Sequence, residues 1–437
     1  MPRLTALRHF CRTHRASFST FVMLASERVL QMGIGLWIAS RIAHNYDQTT
    51  FAHWQIAMSL WLVFGTIGNI TGERILLPRL CAVSAADRPA LWNTALTAKL
   101  ITGGLAAIPL ALWASTMPDP LILQLSLLWC LQLLINMPIS LAVYEAYARD
   151  DFRTPQIARI IAMLCRFGVV LLVMMLEGPI TWIVWAWITE IAVIGLILCR
   201  HWYRTRQIQP QLIDWSLMRT LFTQGAALAV ASSASVALSR IDRVTLGKSI
   251  PSEVLSQYAA AMTLLEAAFA FAAMLATIVG AKTLFRPGPI NPHHHAGLTL
   301  FAASIALTVT SLLWVIAPAL MTAIYGPDYV ESASYLRIAC GLLPLVFAQA
   351  ILQAPLLIRA SKRFHLCKAV TALGIGAAIA TWAAHHDQYQ WISAGAYAGY
   401  LCLILFDLHE LRRRAGEIYR TNRRDTATVP GHRHEQT

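Results

Sequence analysis

Apolar residues in this chain gather in blocks the length of a membrane span rather than alternating with polar ones. The first six blocks run Ser17–Ile42, Thr50–Thr71, Ala90–Ser115, Pro120–Tyr144, Pro155–Leu176 and Ile180–Cys199. Six more follow at Leu217–Leu238, Glu253–Thr283, Ala296–Ile316, Ala333–Ile358, Cys367–Ala384 and Tyr389–Leu408. Crossing the hydrocarbon takes about 20 apolar residues as a helix. The pattern therefore predicts an all-α polytopic membrane protein of about twelve helices. Residues 1–208 would form an N-terminal lobe and 209–411 a C-terminal lobe, with a basic, disordered tail over 412–437.

The polar residues between blocks test that count. Taking alternate connections, one set carries Arg3–Arg15, Arg74, Arg79 and Arg88, Arg149 and Arg153, Arg200–Arg219, Lys282 and Arg286, Arg359–Lys368, and the tail. The other set holds Arg41 and the group Arg240, Arg243 and Lys248. Such an asymmetry marks the cytoplasmic side, so both termini are expected in the cytoplasm. Arg3–Arg15 followed by an apolar run resembles a signal peptide. The run is long and lacks a small-residue cleavage site, which favours a retained first span. The one exception to the charge rule lies where span seven ends, and a water-filled cavity between helices is the expected home for those cations, with Asp242 as partial neutraliser.

The two sets of six resemble each other weakly. Phe51–Ala52 and Met58 in span two match Tyr258–Ala259 and Met262 in span eight, which predicts a parallel repeat about an axis normal to the membrane.

Composition agrees with this reading. Of 437 residues 57% are hydrophobic and 13% charged, against about 25% charged in soluble domains. Mean hydropathy is +0.54. The net charge of +13 belongs to loops and tail, so it signals topology rather than a nucleic-acid partner. The eight cysteines are scattered without a CxxC pair, which points to neither a metal site nor a disulfide framework. The His293–His295 and His385–His386 runs fall in loops. The sequence holds no GxGxxG, P-loop, HExxH or GxSxG motif, so no cofactor and no covalent chemistry are expected.

Three stretches carry a family resemblance. In SRIDRVTLGKSIPSEVLSQYAAAMTLLE the relevant residues are Asp242, Leu246–Gly247 and Tyr258–Ala259. In IYGPDYVESASYLRIACGLLPLVFAQAILQAPLLIRASKR they are Tyr325–Gly326, Tyr329, Ala333, Leu336 and Ala360–Arg363. The third stretch, LVFGTIGNITGERILLP, closes span two. Together they resemble the polysaccharide (Wzx-type) flippases of the multidrug/oligosaccharidyl-lipid/polysaccharide exporter superfamily. The short link Arg286–His295 departs from that pattern and leaves the start of span nine open. The resemblance implies two six-helix lobes around a central cavity. It also implies movement of an undecaprenyl-diphosphate-linked oligosaccharide from the inner to the outer leaflet of the bacterial cytoplasmic membrane.

A diphosphate and its sugars need a hydrated groove lined by cations and by amide or hydroxyl groups, because unpaired polar groups cost several kcal/mol in hydrocarbon. Arg28, Lys99 and Arg166 lie near mid-depth and are candidate diphosphate ligands; the alternative is structural pairing with Glu27, Glu190 or Glu266. Glu27 and Arg28 are adjacent and point about 100° apart on a helix, so one of them faces a neighbour. Arg240, Asp242 and Arg243 read either as a gate at the outer mouth or as a turn ion pair. Glu190 and Glu266 are buried acids suited to proton coupling, or else to helix–helix hydrogen bonds. Gln349 and Gln353 share a helical face and suit sugar hydroxyls, or tie helices together.

The expected partners are the lipid-linked oligosaccharide, the bilayer and, in the same pathway, a glycan polymerase or export machinery. Rival readings are a multidrug or cation antiporter of the same superfamily, a membrane glycan polymerase or ligase, and an export-complex subunit without transport. Loops on the sparsely charged side reach only about 16 residues, too short for the large catalytic loop such enzymes usually carry.

Overall fold

The computed structural model of the chain describes residues 26, 29–84, 86–203, 213–247, 249–284, 292–356 and 360–427, and among them it contains helices and no strand. The helices are α1 (29–45), α2 (Gln48–Gly65), α3 (Glu73–Ala82), α4 (Arg88–Ala114), α5 (Pro120–Ala148), α6 (Arg153–Met175) and α7 (Ile180–Tyr203). Next come α8 (Trp215–Leu238), α9 (Ile241–Leu246), α10 (Ser252–Leu284), α11 (Pro292–Tyr325), α12 (Ser332–Ala339) and α13 (Leu342–Gln353). The last two are α14 (Lys362–His385) and α15 (Ala394–Ala427).

Ten spans among the described residues are long and apolar enough to cross a bilayer, with α12 and α13 together supplying one. Helices α1 and α2 occupy the two remaining places of a twelve-span, all-α membrane protein. Within the first six spans, α5 is the hub and packs on α2, α4 and α7, while α6 packs on α7. Within the second six, α13 contacts α10, α11 and α15, and α14 contacts α8 and α15. The two lobes meet where α2 and the 3₁₀ turn Thr66–Thr71 lie against α8, α9 and α10.

Several boundaries follow from local chemistry. Asp119 caps α5 by accepting from the Leu121 amide at 2.7 Å, with Pro120 in the first turn, where its missing N–H costs nothing. Asp214 caps α8 by accepting from the Ser216 and Leu217 amides at 2.9 and 3.0 Å, and the Leu217 amide holds this carboxyl below its ordinary range. Ser361 caps α14 by accepting from the Phe364 amide at 3.2 Å.

The structure departs from the sequence expectation in four places. Span two ends as a 3₁₀ turn, and the connection after it folds into α3 instead of remaining a loop. Span ten is broken: Pro344 removes the amide that would bond the Cys340 carbonyl, so the helix stops at Ala339 and restarts at Leu342. Span nine begins at Pro292, earlier than expected, and runs 34 residues. The tail is not disordered from residue 412 onward, since α15 stays helical to Ala427. Glu410, three and four residues before Arg413 and Arg414, supports that extension with ion pairs of 2.8 and 2.7 Å.

Two glycines are required by close approach or backbone. Gly326 adopts φ +96° in the turn after α11. At Gly225 an added Cβ would fall 1.8 Å from the Ile70 carbonyl oxygen, so a bare backbone there lets α8 reach the 3₁₀ turn. Gly225→Ala is therefore expected to destabilise the protein in detergent by about 1–3 kcal/mol, as overpacking does. Gly374→Ala, with nothing within 4 Å, should leave thermal unfolding unchanged.

Candidate functional site

A cavity of about 450 Å³ lies between the lobes. The N-terminal lobe supplies Asn69, Glu73, Arg74 and Tyr144; the C-terminal lobe supplies Ser232, Ser235, Gln353, His365 and Lys368. It sits in the half of the bundle nearest the strongly basic connections, since α3 and the first turns of α14 form its walls. The extended backbone of Gly72 starts α3 and brings Glu73 and Arg74 to the cavity wall. The Ser361 cap sets the register of α14, so that His365 and Lys368, three apart, share one face.

The charge of this lining is held in place from behind. Lys368 donates to Asp407 of α15 at 2.7 Å, and that carboxylate is fully buried. The His365 ring nitrogen lies 3.2 Å from the Leu356 carbonyl. Gln349 hydrogen-bonds Gln353, which lines the cavity. Beside the cavity's basic end, Arg79 donates to the Gln224 side chain at 2.8 Å and Lys362 to the Gln224 carbonyl at 3.0 Å. Glu145, fully buried in α5, pairs with Arg88 at 3.0 Å and with Arg149 at 2.9 Å.

A second network lies toward the opposite end of the lobe interface. Glu266 of α10 takes both arginines of the α8–α9 junction, Arg243 at 2.5 Å and Arg240 through a shorter contact. Asp242 accepts from the Arg243 amide at 2.8 Å. From the other lobe, Gln55 accepts from Arg243 at 3.5 Å and Ser59 from Arg240 at 3.4 Å. Arg240, Asp242 and Arg243 are 9%, 6% and 0% exposed. The expected water-filled home for these cations is thus corrected: protein groups surround them, because the α8–α9 turn folds them against α10 and α2. Lys248 lies outside the described residues.

Nearby, Phe51 of α2 meets the edges of Tyr325 and Tyr329, with centroids 6.2 and 5.8 Å away. Gln48 and Gln257 both donate to the Asp328 carbonyl, at 3.1 and 2.6 Å, and Ser40 of α1 donates to the Ile324 carbonyl. This end of the interface is closed by aromatic and backbone contacts from both lobes.

The residues singled out from sequence therefore fall in separate places. Glu27 and Arg28 lie outside the described residues. Lys99 is buried with its ammonium 4.9 Å from the ring centroid of Tyr144, so it stands behind a residue of the cavity wall. Arg166 pairs with Glu190 at 2.7 Å and stacks 5.1 Å from the Trp187 ring, within the first lobe. Gln353 reaches the cavity directly. Arg74, His365, Lys368 and the buried Asp407 were missed. Lys368 reads in sequence as one of a run of loop cations, yet its three-residue spacing from His365 places both on one helical face. Among the described residues no group of three His, Cys, Asp or Glu side chains forms a metal site.

No protein-family sequence model matches the chain, and the comparison with curated proteins gives no match. The fold is nevertheless shared with solved structures. One is a lipid II flippase, MurJ, in an inward closed conformation, at TM-score 0.70 and 11% identity over 90% of this chain and 87% of that one. Another is an inward-facing multidrug resistance MATE transporter of the MOP superfamily, at TM-score 0.68 and 12% identity over 90% and 96%. A Vibrio cholerae MATE transporter aligns at TM-score 0.56 and 12% identity over 91% and 95%. The chain thus has the polytopic, two-lobed fold seen in MurJ and MATE transporters.

The Glu266 network makes a stability prediction. Glu266→Ala leaves Arg240 without a carboxylate and Arg243 with only Asp242 4.0 Å away, and should cost about 3–5 kcal/mol. The quadruple substitution Arg240→Met, Asp242→Asn, Arg243→Met, Glu266→Leu, which removes every charge of the network together, should cost less than the single one in thermal unfolding.

Proposed function

We propose that this chain is a flippase for an undecaprenyl-diphosphate-linked oligosaccharide, working by alternating access in the bacterial cytoplasmic membrane with both termini in the cytoplasm. The observation that carries the proposal is the chemistry of the inter-lobe cavity. Arg74, Lys368 and His365 share the wall with the carboxylate of Glu73, Lys368 being held from behind by Asp407, with amides and hydroxyls from Asn69, Gln353, Ser232 and Ser235 beside them. Arg74 offers a planar fork for a phosphate, and Lys368 a point charge. The amides and hydroxyls suit sugar hydroxyls, while the polyprenyl chain stays in the bilayer. The wider headgroup enters as the lobes move apart.

In this reading the two ends of the interface alternate. Parting the lobes at the aromatic end breaks the contacts of Phe51 with Tyr325 and Tyr329 and the Gln48–Asp328 bond; parting them at the basic end breaks the Arg79–Gln224 link. Substrate biases that equilibrium only by binding one arrangement better than the other. No bond in the substrate is made or cut. The likeness to MATE transporters keeps cation antiport as the rival reading. Of the acids, Glu190, Glu266 and Asp407 each already hold an arginine or lysine, which leaves Glu73 as the carboxylate on the cavity wall that an antiport mechanism would have to use.

The test is the lipid-linked sugar pool of a strain depleted of this protein. Complete repeat units should accumulate on the cytoplasmic leaflet, and unchanged pools with lost drug resistance would sink the proposal in favour of antiport. Arg74→Gln should lower complementing flux about 10–100-fold, the value of one or two charge-assisted hydrogen bonds, without loss of folded protein, because Arg74 is exposed to the cavity and holds no buried carboxylate.

A further inference from the structure

The break in span ten leaves a crevice of about 400 Å³ on the outside of the second lobe, walled by Thr310, Ser311, Trp314, Arg337, Gly341 and Tyr397. Two prolines shape it. Pro318 in α11 has no amide for the Trp314 carbonyl, and the Arg337 Nε donates there instead at 3.0 Å. Pro344 offers no amide to the Cys340 carbonyl, which accepts instead from the Leu343 amide and from the Thr310 hydroxyl, each at 3.0 Å. Tyr397 donates to the Ile338 carbonyl at 2.5 Å and closes the floor.

These bonds hold Arg337 in one orientation, its guanidinium 5.0 Å from the Trp314 ring centroid. Its Nη1 and Nη2 have no partner among the described residues, and no carboxylate there lies within ion-pair distance. Arg337 is five residues into α12, about 8 Å along the axis from the end that carries few basic loops. That depth is near the boundary between headgroups and hydrocarbon, where an arginine facing lipid needs an anion. Around the crevice the α11 surface is bare and apolar, with Leu307, Leu312 and Val315 57%, 59% and 67% exposed.

We infer that this crevice binds a bilayer phospholipid: the phosphodiester takes the two free guanidinium nitrogens, the glycerol lies against Trp314, and the acyl chains run along α11. An aqueous anion would gain nothing from the apolar rim, and a protein partner would have to reach below the membrane surface. The site is on the lipid-facing wall, separate from the inter-lobe cavity, so it stands whatever that cavity carries.

The test uses purified full-length protein in non-ionic detergent. Added phosphatidylglycerol should raise the unfolding temperature, whereas diacylglycerol with the same chains and free inorganic phosphate should not. Native mass spectrometry should show phosphatidylglycerol retained by the wild type and about tenfold less by Arg337→Gln, the loss expected for one bidentate charge-assisted pair. Ser311→Phe, which fills the crevice and leaves Arg337 in place, should lose the lipid equally, so a folding defect in the first variant does not decide the matter. The inference fails if either folded variant retains the lipid as the wild type does, or if diacylglycerol or free phosphate matches phosphatidylglycerol. It fails too if undecaprenyl phosphate displaces phosphatidylglycerol from the crevice.

Discussion

A charge in hydrocarbon must have a partner, and most of the polar architecture follows from that constraint. Arg240 and Arg243 share Glu266, Arg166 takes Glu190, Lys368 takes Asp407, and Glu145 sits between Arg88 and Arg149. Each pair crosses between helices or ties a helix to its own end, so the charges work as pins between apolar cylinders. Helices packed in lipid gain little from the hydrophobic effect, because the tails are as apolar as leucine. Van der Waals fit, exemplified by Gly225 against Ile70, and polar pins therefore carry the packing.

The same constraint separates the two ends of the lobe interface. Toward one end the interfacial cations are saturated by Glu266, Gln55 and Ser59, and aromatic rings cover them. Toward the other, Arg74 and Lys368 present their charge to a cavity large enough for a ligand group. Lys368 does so while anchored by Asp407, which keeps the ammonium in place and moderates its charge. The arrangement gives one fold two environments for cations, one structural and one available to an anion.

Much of the fold was legible from local signals. Span boundaries from the hydropathy blocks agree with the helices to within a few residues for α4, α5, α6 and α8, where caps such as Asp119 and Asp214 stand in the sequence as written. Failures came where a local signal has a non-local outcome. Pro344 announces a break, but whether a helix kinks or stops depends on what satisfies the Cys340 carbonyl, here the Leu343 amide together with Thr310 of another helix. The tail looked disordered by composition, while Glu410 with Arg413 and Arg414 continues the helix. The candidate site was only partly legible: Gln353 was named, while Lys368 was counted as a loop charge because hydropathy places it at a span edge.

By itself the sequence determined the solvent and the secondary structure. Hydrocarbon demands internally bonded backbone over about 20 residues, and each segment meets that demand or fails alone. It also determined which connections carry the cations, since those residues are simply counted. The tertiary structure alone decided which charges meet. Arg240 and Glu266 are 26 residues apart and Lys368 and Asp407 are 39 apart, so no periodicity links them. Helix packing chose those pairs, and in doing so it chose which cations were consumed as pins and which were left facing a cavity or the lipid.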